Sequence, residues 1–70
     1  MTKRVYGITE IVGTSKTGID DAIQHGITTA AKTLRHLEWF EVVQIKGHIV
    51  DGDVAHFQVG MKLGFRYDPQ

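Results

Sequence analysis

Seventy residues fill a single domain, residues 1–70, and leave no room for a second at roughly 100–200 residues per domain. Eight Lys and Arg balance eight Asp and Glu, which argues against nucleic-acid or anionic-membrane partners, since both are bound through basic patches that release counterions. With 41% hydrophobic and 23% charged residues the chain is globular, and the lack of cysteine excludes disulfides, thiolate zinc sites and thiol catalysis.

Residues 2–13 read as a first strand. Tyr6, Ile8 and Val12 share one parity and Val5 and Ile11 the other, an imperfect alternation dominated by β-formers. Gly13-Thr14-Ser15-Lys16-Thr17-Gly18 breaks the pattern as a loop. Apolar residues then recur at spacings of three and four from Ile19, Ala22 and Ile23 through Ile27 and Ala30 to Leu34 and Leu37. That period predicts one helix of about 20 residues and roughly 30 Å. Ser15 or Thr17 can cap it, Asp20 and Asp21 suit its first turn, and Lys32, Arg35 and His36 suit its last. Its inner stripe is rich in Ala and Gly, which permits close approach to a sheet.

Residues 39–50 and 54–67 read as the second and third strands, with Asp51-Gly52-Asp53 between them. In the third, Ala55, Phe57, Val59, Met61, Leu63 and Phe65 are apolar, and the alternates His56, Gln58, Gly60, Lys62, Gly64 and Arg66 carry no apolar side chain. One face packs on the helix; the other serves some different purpose. Hairpin partners share a face, so odd-numbered residues must oppose odd-numbered ones. A three-residue loop at 51–53 meets that condition, whereas a two-residue loop would set Ile45 against Gln58 and spoil both faces. Lys46 then opposes Gln58, His48 opposes His56, and Gln44 opposes Gly60. Unbroken, this register would send Glu41 into the core, so a bulge is expected between Trp39 and Val43.

The predicted fold is α+β: a β-α-β-β protomer with a three-stranded antiparallel sheet wrapped on one helix. Its outer sheet face carries Gln44, Lys46, His48, His56, Gln58 and Lys62 among glycines, and glycines within strands often mark close approach of a ligand or another backbone. So small a domain gains little more by burial than ordering costs it, at about 1.5 kcal/mol per residue. Oligomerisation is the expected source of further buried surface. No apolar run reaches the roughly 18 residues of a membrane helix, and no signal-peptide core follows Met1-Thr2-Lys3-Arg4, so the cytoplasm is the expected compartment.

Little in the chain suggests catalysis. Gly13 to Gly18 has the outline of a phosphate loop, but Ile19-Asp20 stands where Lys-Ser/Thr is needed. His25 and His36 lie about 16 Å apart along a helix, too far for one ion, and no third ligand accompanies His48 and His56. No activated nucleophile or carboxylate pair is evident, and no metal site is expected. Trp39, the single tryptophan, is either a core anchor burying up to about 250 Å² or a stacking platform for a flat ligand. Gln58 offers an amide that both donates and accepts, as the edge of a planar heterocycle would require.

Val12-Gly13-Thr14-Ser15, Lys32-Thr33-Leu34-Arg35, Trp39-Phe40-Glu41-Val42, Ala55-His56-Phe57-Gln58-Val59 and Gly64-Phe65-Arg66 occur in an order and spacing that resemble dodecin, the family of small flavin-binding proteins. The resemblance runs from about Tyr6 to Arg66. It implies a homo-oligomer, a hollow dodecamer of cubic symmetry that binds FMN or riboflavin non-covalently, in stacked pairs between the tryptophans of symmetry-related subunits. The third-strand glutamine of the family hydrogen-bonds the isoalloxazine, so these roles fall on Trp39 and Gln58. Lys46 stands where the family's second strand would be expected to supply an arginine, keeping the charge without the bidentate fork. Some bacterial dodecins also bind coenzyme A, for whose phosphates Lys3, Arg35 and Arg66 are the conceivable contacts.

The expected function is therefore flavin storage, buffering and photoprotective sequestration without catalysis. The alternatives are a small flavin- or coenzyme-dependent enzyme or electron carrier using the same site, and a purely structural cage.

Overall fold

The computed structural model describes residues 4–67. In chain order these form β1 (Tyr6–Ser15), α1 (Ile19–Ala30), β2 (Leu37–Val50) and β3 (Asp53–Arg66). The sheet is antiparallel throughout, in the order β1-β3-β2. The strand with the cleanest apolar alternation thus takes the centre, where both edges are hydrogen-bonded. Its odd-numbered face carries the core: Val59, Met61 and Leu63 are buried together with Ala22 of α1. Gly13 permits the contact, because a Cβ there would overlap the carbonyl oxygen of Ala22. Among the described residues no helix is long and apolar enough to cross a membrane.

Several elements differ from their sequence expectation. The helix has 12 residues and ends at Ala30, not about 20. Beyond Ala30 the chain tightens into a turn, with Thr33 N donating to Ala30 O at 3.1 Å and Lys32 N to Thr29 O at 3.2 Å. Thr28, Thr29 and Thr33 are poor helix formers here, and His36, at φ 61°, turns the chain into β2. Leu37 still reaches the core, but from a strand. Lys32, Arg35 and His36 accordingly lie beyond the helix, whose last turn holds no basic residue.

Neither Ser15 nor Thr17 is the helix cap; Gly18 is, without a side-chain hydrogen bond. Ser15 instead ties the loop together. Its hydroxyl accepts from the backbone N–H of Thr17 at 2.9 Å and donates to Asp21 Oδ2 at 2.7 Å. Thr14 and Ser15, expected in that loop, complete β1 opposite Gln58 and Phe57.

The hairpin turn has two residues, not three. Asp51 and Gly52, at φ 51° and 80°, join Val50 to its partner Asp53, the left-handed pair that suits a twisted hairpin. The expected register survives because Ala55 is extra on β3, between the pairs His48–His56 and Ile49–Val54. Lys46 therefore opposes Gln58, His48 opposes His56, and Gln44 opposes Gly60. The expected bulge is Val43, between Val42–Met61 and Gln44–Gly60, and a further one falls at Glu38. Val43 shifts Trp39 and Glu41 onto the outer face, opposite Gly64 and Lys62.

Helix α1 packs chiefly on β1 and β3. Beyond Leu37 all of β2 is exposed, including Phe40, Val42 and Ile45 on the face that should be buried. The fold extends over 55 × 20 × 14 Å with a radius of gyration of 14.7 Å, against about 11 Å for a compact chain of this length.

Candidate functional site

Two groups of side chains lie along the outer sheet face, one near each end. The first is built on Gly64. Trp39 of β2 pairs with this glycine, and a Cβ on it would overlap indole carbons Cε2 and Cζ2. The indole therefore lies down on the backbone of β3. The indole and the ring of Tyr6 on β1 meet edge to face, with ring centroids 5.1 Å apart and planes at 64°, the arrangement favoured by aromatic quadrupoles. Even so, Trp39 remains 42% exposed. Such a side chain is a poor core anchor and a good surface for a flat ring.

Arg66 stands beside this group, opposite Tyr6 on β1. Its Nη1 lies 3.7 Å from Glu38 Oε2 and its Nη2 3.4 Å from His36 Nδ1, while its backbone N–H donates to His36 O at 3.0 Å. Its Nε is buried without a hydrogen-bond partner. Arg35 is exposed in the segment between α1 and β2. Lys3 lies outside the described residues.

The second group centres on Gln58, flanked by Lys46 on β2 and Thr14 on β1. Two pairs further along the hairpin, His48 and His56 stack with centroids 5.6 Å apart and planes 15° apart. Among the described residues no three His, Asp or Glu side chains converge as metal ligands. What this end offers is an amide beside an ammonium group, able to hydrogen-bond the polar edge of a ring and to attract an anion.

The chain thus brings Lys46 to Gln58 but brings neither to Trp39. Their pairings are six residues apart on β3, Gly64 against Gln58, or about 20 Å at roughly 3.3 Å per residue. A tricyclic ring cannot bridge that distance. Sequence reasoning missed Tyr6, Gly64, His36 and Glu38 as neighbours of the expected residues. The first two could have been found from the β1–β3 register, which sets Tyr6 and Ile8 beside Arg66 and Gly64. His36 could not, being assigned to the helix.

The Dodecin family model matches residues 5–68. The chain belongs to the dodecin family. It is 48% identical over 65 residues to the dodecin of Thermus thermophilus, covering 93% of this chain and 94% of that one. A dodecin from Streptomyces davaonensis superposes with a TM-score of 0.93 at 51% identity, over 97% of this chain and all of that one. The dodecin of Streptomyces coelicolor gives 0.92 at 53%, over the whole of both chains. This agreement extends to the β-α-β-β order and the antiparallel sheet. Dodecins are small binding proteins and not a known family of enzymes.

Proposed function

We propose that this protein binds FMN or riboflavin non-covalently, without turning it over, to store, buffer and photoprotect the flavin in the cytoplasm. The observation that carries this reading is the indole of Trp39, laid flat over Gly64 and open to solvent. An isoalloxazine is a planar ring of the kind that such a surface stacks. Flavin stacked on an indole is quenched, which suits sequestration. Membership of the dodecin family supports the same conclusion.

The assembly belongs to the same proposal. Twelve chains of 7.8 kDa form a hollow particle of about 94 kDa. Trp39 of one copy and Gln58 of another then supply a single site, a reading supported by the six residues that separate their pairings on β3 within one chain.

Replacing Trp39 with Ala tests the stacking surface. Flavin affinity should fall by about 1–3 kcal/mol, the loss typical of removing one stacked aromatic, while the particle keeps its mass. Loss of assembly with unchanged flavin binding would show that Trp39 is a packing residue.

Gln58 and Lys46 should separate by ligand. Gln58→Leu leaves the polar ring edge unpaired, so it should weaken riboflavin and FMN alike by about 1–3 kcal/mol. Lys46 is exposed, so Lys46→Met should weaken FMN by roughly 1 kcal/mol or less, spare riboflavin, and show an effect that shrinks with added salt. Titrating both flavins into both variants by fluorescence quenching reads the difference. Equal losses for the two ligands in Lys46→Met would remove the phosphate role.

A further inference from the structure

Trp39 and Tyr6 belong to strands that never touch. β3 runs between β2 and β1, and two strand spacings separate the outer pair by about 9.6 Å. Their rings nonetheless approach to 5.1 Å, because both lean inward over the centre of the sheet. The side chain that would fill the gap is missing: Gly64 lies beneath the indole and leaves no room there for a Cβ. The contact is also diagonal. Ile8, not Tyr6, sits directly across Gly64 on β1, so the indole reaches past its nearest neighbour to the aromatic ring beyond it.

We infer that Tyr6 is a positioning residue for ligand stacking: its ring, in edge-to-face contact, with the bare backbone of Gly64 as a floor, holds the Trp39 indole flat with one face open to a planar heteroaromatic ligand. The inference deepens the flavin reading and rests on it. Without a lateral partner, an indole on an exposed strand rotates about two side-chain torsions and must be immobilised when ligand binds. Side chains ordered on binding reduce affinity. With Tyr6 and Gly64 in place, that ordering is complete before the ligand arrives.

Gly64 alone cannot do this, because a floor limits the indole on one side and leaves it free to slide. Tyr6 closes one lateral direction. Its contribution is an edge-to-face contact, so the aromatic ring carries the effect and the phenolic hydroxyl does not.

Trp39 is the single tryptophan of the chain, so the indole emission of the flavin-free assembly reports this residue and no other. The experiment compares native protein, Tyr6→Ala and Tyr6→Phe as assembled particles of verified mass. Tryptophan anisotropy and acrylamide quenching are measured before riboflavin is titrated in.

Tyr6→Ala should lower the anisotropy, raise the quenching and weaken riboflavin about 2- to 12-fold, the range expected for one aromatic pair. Tyr6→Phe should restore all three. Native anisotropy and affinity in Tyr6→Ala would overturn the inference, and so would Tyr6→Phe behaving like Tyr6→Ala, since the hydroxyl would then be the active group. Should Tyr6→Ala fail to assemble, Tyr6→Leu asks the same question, keeping an apolar side chain on β1 without the aromatic ring. It should show the same lower anisotropy and weaker riboflavin binding, and native values in that variant would overturn the inference. If native protein takes up no riboflavin, the flavin reading fails, and the anisotropy of the flavin-free particles still decides whether Tyr6 holds the indole.

Discussion

Met61→Ala should destabilise the protein by about 2–5 kcal/mol, in the upper half of that range. Met61 is fully buried, and among the described residues only Ala22, Val59 and Leu63 are buried with it in the core. Its terminal methyl lies in a notch between α1 and β1 where two glycines face each other. A Cβ on Gly26 would stand 3.1 Å from that methyl, and one on Gly13 would stand 3.3 Å from it. Glycines have no side chain to collapse into a void, so the cavity left by truncation would stay open. Natural domains have a total stability of about 5–15 kcal/mol, so the loss is a large share of the whole. Met61→Leu conserves volume and should cost less than about 1.5 kcal/mol. Denaturant midpoints at one fixed protein concentration provide the comparison. A Met61→Ala loss below that of Met61→Leu would mean that the helix does not seat on β3 as described. If folding is linked to the proposed assembly, every midpoint should also rise with protein concentration.

The sequence revealed the fold where a strict pattern was tied to burial. The alternation from Ala55 to Phe65 is long enough to mark β3 as the strand with one buried face, and parity then forced the pairing of Lys46 with Gln58. That pairing was right although the loop length behind it was wrong. Parity fixes only the number of residues between paired positions, and a two-residue turn plus a bulge at Ala55 counts the same as a three-residue loop. Helix length was misread for a related reason. Leu34 and Leu37 continue the spacing of α1 by coincidence, because Leu37 points into the same core from the start of β2. Periodicity identifies a buried residue without saying which element buries it.

The candidate site was legible one residue at a time and not as a constellation. Trp39 and Gln58 stood out by chemistry, and the separation of about 20 Å in one chain was implied only indirectly, by the register that sets Lys46, seven residues beyond Trp39, against Gln58. Tyr6 looked like an ordinary strand residue because its importance depends on β3 lying between β1 and β2.

The last expected result concerns the face that the helix leaves uncovered. Ile45 pairs with Val59 on the inner side of the sheet, yet it is 54% exposed while Val59 is wholly buried. Phe40 and Val42 share that face, and Ile49, Val50 and Val54 extend the exposed apolar surface to the hairpin tip. β2 is also an edge strand of 14 residues, the kind of long edge that proteins cover or blunt. If copies of this chain cover it, Ile45→Asp places an unpaired carboxylate in every such contact, and each one costs several kcal/mol. The proposed particle of about 94 kDa, twelve chains of 7.8 kDa, should then give way to small species in native mass spectrometry, whereas Ile45→Val should assemble normally. A full-sized Ile45→Asp particle would show that this face lies free in the assembly. Flavin titration of the same variant carries the argument to the site. Dissociated chains hold Trp39 and Gln58 about 20 Å apart, so they should lose flavin binding although neither residue has changed. Native affinity in a dissociated chain would mean that one protomer holds the whole site, and Gln58 would then have no part in recognising the ring stacked on Trp39.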